Sequence, residues 1–329
     1  MFRAKVHRVK VLISKLTPLK RSYSDRGPIY VYVPVSGRIP VLRPVIWSLG
    51  ACGTIYLGCA AYEVYHDVKS AEAKGSRWDR GQVIQTFEQL ERLSGTQRAN
   101  SMLDTMGGST SERPEFSDSM KLTMSIMTAN AVVHLARRIN PFLVVHFVHT
   151  PAFGINYTLL TSVFAHSGLV HLGLNMYGLF YFLPSAAYSP TFQGSNAHLA
   201  AFYLSAGVLS SLAQHMTAIW PRRNISVSSM GASGAIFALL GIVGVSFPHT
   251  QIGIIFLPGS LPVGQAMACI AVFDAIGIFV RYPGVRLGHA AHLSGLALGV
   301  GYAKYGGDKR IWRPGRKFAF ETMRFVGFL

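Results

Sequence analysis

Three groups of residues in this chain have the types and spacings that acyl transfer requires. The first is Gly231-Ala232-Ser233-Gly234, where a polar stretch meets an apolar run. Glycines on both sides of the serine permit a tight turn onto a helix and close approach by another backbone. They also leave the Ser233 hydroxyl uncrowded. A serine is a poor nucleophile until a base takes its proton. The second group supplies one. His292 lies in Gly288-His289-Ala290-Ala291-His292-Leu293-Ser294-Gly295, a few residues into an apolar run, where an imidazole needs a polar partner. Ala291, Gly295 and Gly299, spaced by four, give that helix a face for tight packing. The third group is His166, His171 and Asn175. His171 and Asn175 stand at i and i+4 and project from one helical face. Two neutral donors there, joined by the Ser233 backbone N–H at the positive end of a helix, suit a developing oxyanion. Each group also has a plainer use: small residues pack helices, and a span histidine can cap a junction. Metal binding by the third group lacks a carboxylate, a thiolate and the usual His-x3-His spacing, so no metal is expected, and no cofactor.

The elements that must position these residues are apolar spans. The chain has 329 residues, of which 50% are hydrophobic and 14% charged. A soluble domain carries about 25% charged residues. The charges crowd the N-terminal third and the last 25 residues, which predicts an all-α polytopic membrane protein. Spans are predicted at about 45–64, 122–136, 169–185, 198–217, 233–247, 263–280 and 289–305, each near the length that crosses roughly 30 Å of hydrocarbon. The resulting organisation is a leader at 1–23, an N-terminal segment at 24–44, a first transmembrane helix at 45–64, a polar loop at 65–120 with one helix around 81–93, a six-helix core at 121–306 and a basic C-terminal tail at 307–329.

The net charge of +17 sits in the leader, short loops and tail rather than on one folded face, so nucleic acid is not an expected partner and the lipid surface is. Arg137 and Arg138, Arg222 and Arg223, and Arg281 and Arg286 fall in alternate loops, the positive-inside pattern, on the side of the N-terminus. The basic tail falls on the opposite side and breaks the pattern. The first 24 residues are basic, amphipathic and free of acids, the mark of a mitochondrial transit peptide, with cleavage expected after Tyr23. Cys52, Cys59 and Cys269 form no CxxC or CxxH and read as packing residues. Asp274, the one acid within 263–280, reads as a protonated or hydrogen-bonded packing residue and is not assigned to the site; a proton relay or third catalytic member is the other reading.

The order His166/His171/Asn175, then Gly231-x-Ser233-Gly234, then Ala291-His292-x-x-Gly295 resembles the rhomboid intramembrane proteases, over about residues 120–306. The runs LGLNMYGL, YLSAGVLSS, GASGAIFALL, IIFLP and HAAHLSG, and the extra N-terminal span, are similar to the mitochondrial presenilin-associated rhomboid-like subtype. The resemblance implies a rhomboid-like six-helix core plus one N-terminal transmembrane helix in the mitochondrial inner membrane. It implies a Ser233–His292 dyad without an aspartate, with His171, Asn175 and the Ser233 amide as oxyanion hole. His166 is expected to brace the preceding loop. Phe237 falls where the family often has a tyrosine stacking on the histidine. The Trp-Arg pair of many relatives is absent around Asn156 to Leu160, and the apolar run Pro141 to Val148 is expected in the membrane interface. The implied activity is serine endopeptidase cleavage of single-span membrane proteins within or beside their span. A catalytically inactive relative that binds such spans is the alternative.

Overall fold

A computed structural model describes residues 40–74, 84–107, 117–221, 228–253, 259–280, 282 and 287–329. The expected transit peptide and the loop residues Arg222, Arg223, Arg281 and Arg286 lie outside the described residues. The architecture is helical throughout, apart from one small hairpin of β1 (Gln251–Gly253) and β2 (Ser260–Pro262), antiparallel with Ile252 opposite Leu261.

The long helices are α1 (Leu42–Lys74), α2 (Phe87–Gly107), α3 (Asp118–Ile139), α4 (Leu169–Ala187), α5 (Asn196–Thr217), α6 (Ser233–Ser246), α7 (Val263–Phe279), α8 (His289–Lys304) and α9 (Arg313–Phe325). Seven of them coincide with the predicted spans. Three boundaries differ. Helix α1 runs past the expected end at 64 to Lys74, because Glu63 and Asp67 are neutralised inside the fold by Arg316 and Arg98. The helix expected around 81–93 begins at Phe87 and continues to Gly107. A reciprocal cap sets its start: Gln89 N–H donates to Thr86 Oγ1 at 3.2 Å, while Thr86 N–H donates to Gln89 Oε1 at 3.2 Å. The basic tail is helix α9, packed on α1 and α2 through Val64, Val68, Phe87, Leu90, Ala319 and Phe320.

The bundle holds a set of polar groups within a mainly apolar core, and carries large apolar residues on its outside. Asn130, His166, His198, Ser210, Gln214, His215, Asp274, His289 and His292 are buried. Val132, Leu135, Val170, Tyr181, Val272 and Phe279 are each more than half exposed. Water would penalise that arrangement, whereas hydrocarbon outside with hydrogen-bonded groups within favours it. Among the described residues α1 alone is long and apolar enough to cross a membrane by itself, and α6 and α7 are apolar but shorter. Helix α6 has 14 residues, about 21 Å at 1.5 Å per residue, so it falls short of the hydrocarbon thickness.

The centre of the bundle is a seam between α6 and α8 at backbone contact. A Cβ on Gly295 would lie 2.0 Å from the Gly234 carbonyl oxygen, and one on Gly299 would lie 2.0 Å from that of Ala238. The four-residue spacing read from the sequence is thus a true contact stripe. His215 Nε2 lies 3.0 Å from the Pro40 carbonyl, tying the beginning of α1 to the end of α5. Arg316 of α9 pairs with Glu63 and Asp67 near the far end of α1. Ser233, at the start of α6, therefore shares an end of the bundle with the start of α1, and α9 lies at the other.

Candidate active site

The seam brings the first turns of α6 and α8 side by side. Ser233 opens α6 and is half-buried; His292 stands one turn into α8 and is 7% exposed. Ser233 Oγ and His292 Nε2 are 2.9 Å apart. The ring of Phe237, one turn after Ser233, lies flat on the imidazole with centroids 4.4 Å apart and planes 1° from parallel. Stacking on one face and the hydroxyl at one edge fix the ring's orientation.

The segment leading into Ser233 is held by three backbone ties. Ser229 and His149 exchange N–H···O bonds of 2.8 and 3.0 Å, Gly231 N–H donates to Ser162 O at 2.9 Å, and Ala232 N–H faces His166 Nε2 at 3.4 Å. His166, expected to brace the loop before its helix, contacts this segment. Burial pushes its imidazole down to about 3, with His171, His134 and Arg137 adding to the effect, so it stays neutral. Arg137 donates to the His166 carbonyl at 3.3 Å and closes the brace from α3.

Gly231 has φ +133, a region that favours glycine, and its missing side chain leaves open the gap between two functional groups. A Cβ there would sit 3.1 Å from His171 Nε2 and 3.8 Å from Ser233 Oγ. His171 Nδ1 faces Ser167 Oγ at 3.1 Å and Ser167 N–H at 3.4 Å. Accepting from Ser167 on Nδ1 leaves the proton on Nε2, the nitrogen beside the gap. Asn175, 6% exposed and one turn on, uses one amide hydrogen on the His171 carbonyl at 2.8 Å and keeps the other. The Ser233 N–H belongs to the first turn of α6, whose N–H groups have no acceptor within the helix. Gly234 serves packing: a Cβ would lie 2.5 Å from Ser210 Cβ on α5.

Sequence reasoning left one group out. Asp274 of α7 is 1% exposed, and its Oδ1 lies 2.6 Å from His289 Nδ1 and 3.4 Å from His292 Nδ1. The expectation is a dyad without an aspartate; beside that dyad the structure places a carboxylate behind His292, on the side away from Ser233. A lone acid in an apolar run signals a partner, but the partner's helix is visible only in three dimensions. Among the described residues no group of three His, Cys, Asp or Glu could hold a metal ion.

Ser233, His292, His166, His171 and Asn175 all fall within residues 155–309, which match the Rhomboid domain family model. The mitochondrial presenilin-associated rhomboid-like protein of Rattus norvegicus is 32% identical over 278 residues, 83% of this chain and 68% of that one. The mitochondrial presenilin-associated rhomboid-like protein A of Danio rerio is 30% identical over 302 residues, 85% of this chain and 74% of that one. Mitochondrial rhomboid protein 1 of Saccharomyces cerevisiae is 33% identical over 150 residues, 45% of this chain and 41% of that one. With that coverage and a helical bundle that is apolar outside, the chain is a mitochondrial membrane protein and belongs to the rhomboid family.

Proposed function

We propose that this chain is a serine endopeptidase of the mitochondrial inner membrane that cleaves single-span membrane proteins within or next to their transmembrane segment. The observation that carries the reading is the 2.9 Å separation of Ser233 Oγ and His292 Nε2 inside a bundle whose outer face is apolar. That distance suits a hydrogen bond from the hydroxyl to a bare ring nitrogen, the arrangement that makes a serine nucleophilic. Family membership supports it, since rhomboids are generally proteases.

In the reaction, Ser233 Oγ forms a bond to the scissile carbonyl carbon as its proton passes to His292 Nε2. The carbonyl oxygen becomes an anion, received by His171 Nε2–H, the free Asn175 amide hydrogen and the Ser233 N–H. Removing one such donor costs about 2.7–4 kcal/mol of transition-state stabilisation. The C–N bond then breaks, and the nitrogen leaves with the proton from Nε2. A water molecule repeats the sequence: its proton goes to Nε2, its oxygen bonds to the acyl carbon, and Oγ departs and regains a proton. Water can reach Ser233 because the serine is half-buried rather than sealed.

The test is labelling of the full chain in detergent or liposomes with a fluorophosphonate probe. Wild type is expected to label and Ser233→Ala to lose the signal. Equal labelling of the two overturns the protease reading and leaves a protein that binds spans without cutting them.

A further inference from the structure

One buried titratable pair has no part in the reaction as written. Asp274 and His289 are 1% and 3% exposed, and their 2.6 Å contact joins α7 to α8. His289 and His292 are one turn apart at the beginning of α8, so both rings reach the same side. They meet one oxygen: Asp274 Oδ1 is 2.6 Å from the first Nδ1 and 3.4 Å from the second. The fold makes room for this. A Cβ on Gly277 would lie 2.5 Å from the His289 ring, so any side chain there would displace it. Phe273 and Tyr282 hold the other faces of that ring, with centroids 5.5 and 5.3 Å away and near-perpendicular planes. The positive end of α8 favours a carboxylate at this place.

Building on the protease reading, we propose that Asp274 is a positioning residue for His292, held in place by His289. The two ring nitrogens of His292 face opposite demands. Nε2 must be bare to accept the Ser233 proton, so the ring's one proton must sit on Nδ1. The Asp274 carboxylate lies on that side at 3.4 Å and disfavours a bare Nδ1, since two acceptors would then face each other. It also stabilises the imidazolium that forms when Nε2 takes the proton. The 3.4 Å separation is longer than a good hydrogen bond, and such contacts tighten as charge develops on the ring. In serine proteases whose aspartate binds the catalytic histidine closely, Asp→Asn costs about 10⁴ in kcat through the wrong tautomer. Here the carboxylate is shared and more distant, so a loss of roughly 10- to 100-fold is expected.

The experiment uses the full chain in detergent, with 15N-labelled histidine and the His292 signals assigned by comparison with His292→Gln. Wild-type His292 is expected to carry its proton on Nδ1. In Asp274→Asn the amide donates to Nδ1, the proton moves to Nε2 in a substantial fraction of molecules, and the fluorophosphonate labelling rate falls 10- to 100-fold in folded protein. A purely structural α7–α8 tie would lower the thermal midpoint and leave the tautomer unchanged, which overturns the proposal. Labelling within twofold of wild type also overturns it. If the asparagine variant does not fold, the wild-type spectrum decides, because a proton on Nε2 refutes the assignment. Failure of wild type to label, with Nδ1 still protonated, counts against the protease reading and not against the placement of Asp274.

Discussion

Arg316 is the residue whose loss should most weaken the fold away from the site. Its guanidinium is 3% exposed and lies 2.9 Å from Glu63, 2.6 Å from Asp67 and 3.4 Å from Glu91. Arg316→Met keeps much of the volume and removes the charge. Glu63, 9% exposed, is then the acid left in the worst position. Breaking a buried pair by removing one partner costs about 3–5 kcal/mol, because the remaining charge is uncompensated. Arg98 stays behind, 3.6 Å from Glu63 and 3.4 Å from Asp67, which puts the expectation at the low end, about 3 kcal/mol. At about 2 °C per kcal/mol for a chain of this size, the unfolding midpoint in detergent should fall by about 6 °C. Adding Glu63→Gln should recover most of the loss, since the orphaned charge is then gone. A shift under about 2 °C, or a double variant no more stable than Arg316→Met alone, would refute the reasoning.

Other outcomes follow from the same geometry. Gly295→Ala drives a methyl group into the Gly234 carbonyl, 2.0 Å away, so it should destabilise by about 1–3 kcal/mol and slow probe labelling by about 100-fold as Ser233 and His292 are moved apart. Asn175→Ala should lower kcat on a model transmembrane substrate by about 10²–10³ with little change in KM; a change in KM alone would remove Asn175 from the oxyanion hole. Acid should weaken the fold in a defined window. Burial holds His149 and His166 down to about 3, so below about 6.5 the unfolded chain binds protons that the folded chain refuses. Stability is therefore lost as the pH falls from about 6.5 towards 3, by about 1.4 kcal/mol per pH unit for each group. His149→Gln should make the decline of the thermal midpoint between pH 6.5 and 5 shallower, and an unchanged slope would sink the assignment.

Much of this was legible without coordinates. The apolar runs mark seven of the long helices, because hydrocarbon imposes length and polarity on a helix that faces it. The Ala291-Gly295-Gly299 stripe and the glycines around Ser233 announce backbone contact because only small residues permit it. What stayed hidden depends on pairing between distant segments. Asp274 reads as an isolated acid until α7 and α8 are set side by side. One cation of the basic tail, Arg316, is neutralised by Glu63 and Asp67 of α1, a pairing no charge count reveals. The expected end of the first span at 64, short of Lys74, has the same cause. The start of α2 was within reach, since Thr86 and Gln89 carry a capping signature that the charge pattern of 65–120 obscures.

The glycine seam has a consequence for control of the protein. Ser233 and His292 ride on two helices whose backbones touch at Gly234/Gly295 and Ala238/Gly299, with no side-chain layer between them to slide or repack. A switch that worked by pulling nucleophile and base apart would have to break a junction packed at backbone contact. On the protease reading, regulation is left to what reaches the pair, water and substrate alike. An inhibited state should therefore keep its Ser233–His292 distance, and cross-linking or spectroscopy across the seam should read the same in inhibited and uninhibited protein.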